Sequence, residues 1–258
     1  MGGGSAINLP GIAADLADLA EPAVVVHGAN ALRDELAERL GAPKRVLTSV
    51  SGYSSVYSDD RALDMIMLAY AGLRNTQLVE LCQRAGVNAI GLTGLDGRLI
   101  RGRRNKGIRV RREGRTVIER DRSGKPAAVN GALLRTLLDG GYTPVVSIPI
   151  ADQDGIAINS ENDDIVVALH AELRARRVIQ LIEAPGFLEH AGDESSVLRE
   201  VDAAALDRFE AQADGRIKRK LRALKDLIAQ GEVEVILCDG RTEHPVRDGL
   251  AGHGTRIG

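Results

Sequence analysis

The 258-residue sequence predicts an α/β protein, a mainly parallel central sheet with helices on both faces and a β-hairpin insertion. Three observations predict it. Short β-branched apolar runs alternate with longer segments whose leucines recur at helical spacing. Glycine closes most of the apolar runs. One arginine-rich stretch breaks the alternation with polar and apolar residues in turn. The hydrophobic fraction of 44% is enough to bury a substantial core, and a net charge of −2 implies neither a nucleic-acid nor a membrane partner for the molecule as a whole.

Gly2, Gly3 and Gly4 open the chain ahead of a helix candidate, with no strand before them. Backbone amides without side chains suit close approach to a phosphate, and such a loop normally follows a strand. "AVVVHGAN" then reads as a strand ending at Gly28, and "ALRDELAERLGA" as a helix through Leu32, Leu36 and Leu40. The same grammar continues. "LDMIMLAYAGLRNTQLVELCQRAG" predicts a helix whose Met65 and Met67 pack in the core, and "VNAIGLTG" a strand running into a loop. After the arginine-rich stretch come "NGALLRTLLDGG" (helix), "YTPVVSIPIA" (strand), "DDIVVALHAELRAR" (helix), "RVIQLIEAPG" (strand), "RIKRKLRALKDLIAQG" (helix) and "VEVILCDG" (strand). No Pro-rich linker, low-complexity tract or fixed-period repeat divides the chain, so residues 1–258 read as one unit with two lobes. Ligands of such sheets bind at the carboxyl ends of the strands, which makes the loops at Gly28, Gly94, Gly186 and Gly240 candidate walls of a site.

Only Cys82 and Cys238 are present, too few for a disulfide framework, and a reducing cytoplasm is the expected compartment. Cys238 lies in an apolar run and reads as a small core residue. No apolar stretch approaches the length of a membrane span, and no signal peptide is expected at the N-terminus. Asp59, Asp60 and Asp152 read as surface or capping groups, so no dedicated metal cage is expected.

The arginine-rich stretch "GRLIRGRRNKGIRVRREGRTVIERDRSGKP" predicts hairpin structure around Gly107 and Gly114, and its portion from Arg98 to Arg115 sets nine cations, Arg101, Arg103, Arg104 and Lys106 among them, against Glu113. Two readings stand: a solvated hairpin whose charges block edge pairing, or a surface for an acidic protein. Aromatics make up 2% of the chain, which disfavours single-stranded nucleic acid. Two further segments concentrate polar groups. In "AINSENDDIVVALHAEL", capping by Ser160 or Asn162 accounts for part of the crowding. In "ADGRIKRKLRALKDL", Lys218, Arg219 and Lys220 are expected in the first turn of a helix, where they oppose the macrodipole unless an anion binds there.

Taken in order, the glycine loop, "VVVHGA", "SGYSSVYSDD", "NAIGLTGLDGR", "AINSENDD", "LIEAPGFL", "GRIKRK" and "LCDGR" resemble the amino acid kinase superfamily. Within it the sequence is similar to the N-acetylglutamate kinase branch, and above all to kinases acting on glutamate or aminoadipate attached to an acidic amino-group carrier protein of the LysW type. The resemblance runs from Gly2 to the C-terminus. It implies transfer of a phosphoryl group from Mg²⁺-ATP to a carboxylate, chemistry governed by alignment and charge neutralisation. Lys220 matches the lysine of the G-x-(M/I)-x-x-K motif and Asp163 the aspartate that organises it. Asn159, Gly28 and Ala29 match substrate contacts. Gly2, Gly3, Glu183, Gly186, Leu188 and Gly215 match nucleotide-binding positions. The resemblance assigns residues 1–150 to the substrate lobe and 151–258 to the ATP lobe, gives Arg101, Arg103, Arg104 and Lys106 to the carrier, and implies a homodimer.

Three positions depart from the pattern. The family's first strand ends in a lysine that would fall ahead of residue 1, with Met1 in the apolar position that follows it. The expectation is that the strand was lost in gene calling, and that a chain beginning here is weakly active or a non-catalytic regulator. Ala29 replaces a common second glycine. Val56 stands where most relatives carry an arginine for the substrate's α-carboxylate, leaving Tyr53, Ser54, Ser55 and Tyr57 to offer hydroxyls, or "SSVY" to be a half-buried strand. An N-acetylglutamate kinase working on the free small molecule is a further reading. His27 reads as a structural hydrogen-bonding group, since an ionised carboxylate acceptor needs no general base.

Overall fold

The computed structural model describes every residue except Glu113, Asp214 and Glu232, and the backbone alone of Ser55, Gly215 and Arg216. Glu113, an acid of the arginine-rich stretch, therefore lies outside the described residues. In chain order the elements are α1 (Leu9–Ala17), β1 (Val25–Val26), α2 (Asn30–Arg39), β2 (Val46–Thr48), β3 (Ser54–Val56) and α3 (Asp60–Ile66), then a run of wider π-helical turns, Met67–Asn75, leading into α4 (Thr76–Arg84). They continue with β4 (Ala89–Thr93), β5 (Ile100–Arg104), β6 (Ile108–Arg112), β7 (Arg115–Glu119), β8 (Gly124–Val129), α5 (Gly131–Asp139), β9 (Thr143–Ser147), β10 (Ile150–Ala151), β11 (Ala157–Ile158) and α6 (Asn162–Leu173). The chain closes with β12 (Arg177–Ile182), β13 (Glu200–Val201), α7 (Ala203–Gln212), α8 (Gly215–Ile228), β14 (Glu234–Asp239), α9 (Pro245–Leu250) and β15 (Thr255–Ile257).

The predicted α/β architecture is present, built as two parallel-rich sheets. In the first, β1 and β4 flank β9 in parallel, and Val145 and Val146 of β9 are fully buried between helices. In the second, β12 runs parallel to β14 over six residue pairs, with β15 antiparallel to β14 and β13 beyond it. Val235, Ile236, Leu237 and Cys238 of β14 are all buried, as continuous apolar runs in a two-sided sheet should be.

The opening glycines lie between the two sheets. The Met1 amino group donates to the Val26 carbonyl at 2.6 Å, Gly28 N donates to Met1 O at 3.0 Å, and Gly2 N donates to Leu181 O at 2.8 Å. Residues 1 and 2 thus bond to β1 on one side and β12 on the other. Helix α1 closes over this junction. Asn8 caps it by accepting from Gly11 N, and Ile12 packs with Leu181 and Ile236 while Ala13 packs with Leu78 and Val145. Asp15, 3% exposed, accepts from Val246 N and Arg247 N at the start of α9 and bonds His244 Nδ1 at 2.8 Å.

Four expectations need correction. The predicted turn at Gly107 does not pair its flanking strands: β5 pairs with β8 as an outer ribbon, and β6 with β7 as a hairpin whose last pair is Arg112 with Arg115. The helix expected over 63–86 is α3, the π-helical run and α4 in succession, and Asn75 in that run turns its amide inward onto His27 Nε2 and Val145 O. Helix α8 begins at Gly215, so Lys218, Arg219 and Lys220 fall beyond its first three residues. Finally, Glu161 occupies the cap position of α6, and neither Ser160 Oγ nor Asn162 Oδ1 has a hydrogen-bond partner among the described residues. The polar crowding there does not serve capping.

Candidate active site

A cavity of about 650 Å³ opens between the two sheets, over the N-terminus of α6. Asp163 enters it from the first turn of α6, where a carboxylate is favoured by the positive end of the helix dipole. Lys220 enters from α8, and its Nζ donates to Asp163 Oδ1 at 2.9 Å and to Gln180 Oε1 of β12 at 3.2 Å. Both members of the pair keep about a third of their side-chain surface exposed, 35% for Lys220 and 28% for Asp163, so the ammonium can still meet a ligand. Gln180 was not singled out in the sequence. Its signal is an amide inside the apolar run "RVIQLI", and in the structure it is 8% exposed. The buried Met1 amino group lies in the same field. Burial lowers its pKa from 8.0 to about 6, with Lys220 pushing the same way and Asp163 opposing.

On the other wall, Asn159 follows β11 and donates through Nδ2 to Ser58 Oγ at 2.9 Å, while Ser58 donates to Val56 O. This ties the loop before α6 to the end of β3. Val56 is 7% exposed and lines the cavity, in keeping with the half-buried strand reading. Arg219 lies beside Lys220 on α8 and reaches across to the Ser54 carbonyl at 3.1 Å, with a second bond to Glu161. Tyr53 Oη bonds Glu210 of α7 at 3.4 Å.

Of the residues predicted for a site, the cavity brings together Gly2, Gly3, Val56, Asn159, Asp163 and Lys220. Gly28 and Ala29 form the layer behind Gly3. A methyl added to Gly3 would come within 2.5 Å of Asn30 N, and one added to Gly28 within 2.7 Å of Gly3 N, so the two glycine loops are in backbone contact. The amides of Gly2 and Gly28 already donate within the protein. Glu183, at the end of β12, accepts from Ala6 N at 2.6 Å and fills the space beside Gly4. Gly186 has φ +159° and packs on Thr255, Phe187 N donates to Thr255 Oγ1, and Leu188 bridges to Val197. These three lie outside the cavity wall, and Gly215 opens α8. Arg101, Arg103, Arg104 and Lys106 are all exposed on or just after β5. The ribbon they decorate joins the site through β8, where Asn159 N donates to Arg122 O and Gly124 N donates to Asn159 O.

Among the described residues no group of three His, Cys, Asp or Glu side chains is arranged to hold a metal ion, and no helix is long and apolar enough to cross a membrane. His27 is fully buried beneath Gly28, and burial lowers its pKa from 6.5 to about 3. It is therefore neutral at working pH and holds structure through Asn75.

A partly exposed ammonium steered by a carboxylate, on the wall of a cleft between parallel sheets and next to glycine loops, is the equipment of a phosphotransferase. The chain belongs to the amino acid kinase family, whose model matches residues 2–239. It is 38% identical to the [LysW]-aminoadipate kinase of Thermus thermophilus over 100% of this chain and 98% of that one. It is 37% identical to the [LysW]-aminoadipate kinase of Deinococcus radiodurans, covering 100% and 89%. Among solved structures, N-acetylglutamate synthase from Neisseria gonorrhoeae superposes with a TM-score of 0.78 at 18% identity, over 96% of this chain and 55% of that one, a likeness of fold.

Proposed function

We propose that this protein transfers the γ-phosphoryl group of ATP to a side-chain carboxylate, forming an acyl phosphate on a glutamate or 2-aminoadipate derivative attached to an acidic amino-group carrier protein. The observation that carries this reading is the Lys220–Asp163 pair, 2.9 Å apart on the wall of the cavity between the two sheets. Phosphoryl transfer to a carboxylate brings two anions together. Lys220 offsets the charge on the transferring group, and Asp163 and Gln180 hold the ammonium in place.

Residues 1–150 supply the acceptor side, with Asn159 reaching over it from the other half, and residues 151–258 the nucleotide side, with Glu183, Gly186, Leu188 and Gly215, which lie beyond the cavity wall, around the part of ATP that extends out of the cavity. Mg²⁺ enters with ATP, since that ion takes most of its ligands from phosphate and water and needs no protein cage. The full-length likeness to two [LysW]-aminoadipate kinases supports the carrier-linked acceptor. The exposed cations of β5, next to the strand that holds Asn159, support a basic docking face for the carrier. A homodimer is the assembly proposed.

The test supplies Mg²⁺-ATP and hydroxylamine with either carrier-linked 2-aminoadipate or the free N-acetyl acid. The expected result is acyl hydroxamate from the carrier-linked acceptor. Neutralising Arg101, Arg103 and Arg104 together should raise its KM by roughly 3- to 150-fold, at about 0.2–1 kcal/mol for each exposed charge, and leave the free acid unaffected. Equal KM values for the triple variant and the parent would overturn the carrier assignment, and absence of hydroxamate from every acceptor would overturn the kinase reading.

A further inference from the structure

A glutamate or 2-aminoadipate acceptor carries two carboxylates, one that takes the phosphoryl group and one that does not. The second needs a cation of its own, because a carboxylate brought into a half-closed cleft loses hydration that only a charged or strongly hydrogen-bonding partner restores. Val56 cannot supply it. Lys220 is committed to Asp163 and Gln180 on the phosphoryl side. Three other arginines reach the cavity wall, and each is tied down elsewhere: Arg33 by Asp34, Arg135 by Glu172 and Arg177 by Glu234.

Arg219 is placed differently. It precedes Lys220 on α8 by one residue, about 100° of helix, so the two cations point to neighbouring walls of one cleft. Its guanidinium lies against the carbonyl of Ser54, two residues from Val56, with Glu161 as counter-ion. A guanidinium carries five N–H donors, and two of them account for these bonds. Its side chain is 24% exposed, and that of Glu161 is 41% exposed.

We propose that Arg219 binds the non-reacting carboxylate of the acceptor, and that Glu161 is the stand-in which holds the guanidinium in position until the acceptor replaces it. Exchanging one carboxylate for another never leaves the arginine unpaired in the cleft. The cation that position 56 lacks is thereby supplied from α8, by a residue adjacent to the one that handles the phosphoryl group. This inference rests on the proposed function and adds to it the residue that reads the acceptor's second charge.

The test measures calorimetric binding of N-acetyl-2-aminoadipate and of its 1-amide, which lacks the non-reacting carboxylate, to the full chain saturated with a non-hydrolysable ATP analogue. The parent should prefer the diacid by about 10- to 150-fold, the range of a charge-assisted bond to a carboxylate. In Arg219→Met that preference should fall below about 3-fold while affinity for the amide stays within about 3-fold of the parent, and Arg219→Lys should regain part of the preference. If Arg219→Met keeps the preference, or weakens diacid and amide equally, the residue merely props the β3 hairpin and the inference is wrong while the kinase reading stands. Absence of binding by the parent to both probes also overturns this inference, because the cleft then does not read the acceptor's second carboxylate by itself, while the kinase reading stands or falls on hydroxamate formation from the carrier-linked acceptor.

Discussion

Replacing Lys220 with methionine keeps the length of the side chain and removes its charge. The ammonium bonds Asp163 at 2.9 Å and Gln180 at 3.2 Å while remaining 35% exposed, so its loss bears differently on stability and on catalysis. For stability, an ion pair this exposed is worth at most about 1 kcal/mol after solvent screening. For catalysis, a unit charge about 4 Å from a phosphoryl oxygen contributes about 4 kcal/mol at an effective dielectric of 20. Deleting a single transition-state donor costs on the order of 10²–10³ in turnover, or about 2.7–4 kcal/mol. The two routes agree. Turnover should therefore fall by about 10²–10³ with the melting temperature lowered by no more than a few degrees. Asp163→Asn should cost less, about 10- to 100-fold, because the lysine remains but is no longer aimed. The assay is hydroxamate formation from Mg²⁺-ATP and acceptor, run beside a thermal melt of each variant. A Lys220→Met protein that keeps more than a tenth of its turnover would refute the reasoning. So would one whose activity disappears only because it has unfolded.

Two further outcomes follow from the layer behind the site. The pKa of His27 is lowered by burial from 6.5 to about 3, so above pH 6.5 the ring is neutral in both folded and unfolded chains. As pH falls below 6.5 only the unfolded chain gains the proton, and stability declines until about pH 3; at pH 5 this site alone costs about 2 kcal/mol. Urea unfolding at pH 7.5 and pH 5 should show that loss in the parent and a smaller one in His27→Gln, and identical slopes would count against it. Gly3→Ala would place a methyl 2.5 Å from Asn30 N and 2.7 Å from Ala29 N, both backbone atoms with little room to move. The expected cost is about 1–3 kcal/mol, a drop in melting temperature of roughly 2–12 °C. Gly72→Ala, whose nearest recorded neighbour is Met67 O at 3.5 Å, serves as the harmless control.

Several elements were legible because their signals are local. The leucine spacing of α2, the apolar runs of β12 and β14 and the hairpin of β6 and β7 needed only neighbours in sequence. The site was legible in part for another reason: "NSENDD" and "GRIKRK" hold too many polar and cationic groups for capping or solvation to explain. The structure agrees, leaving Ser160 Oγ and Asn162 Oδ1 without partners among the described residues and pairing Asp163 with Lys220 from 57 residues away. Gln180 and Arg219 were harder to see. One is a single amide in a strand and the other one cation among many, and what each faces is fixed by packing between α6, α8 and the hairpin of β2 and β3.

The sequence by itself determined the α/β class, the order of most elements and the residue types able to handle phosphate, since periodicity, glycine placement and charge are properties of the chain alone. Only the tertiary structure decided that residues 1 and 2 bond to both sheets, that the helix expected over 63–86 passes through π-helical turns, and that Arg219 of α8 meets the Ser54 carbonyl of β3 across the cleft. Those outcomes depend on which backbone edges and side chains meet across long separations. Burial and hydrogen-bond satisfaction select such meetings only once the whole chain has packed.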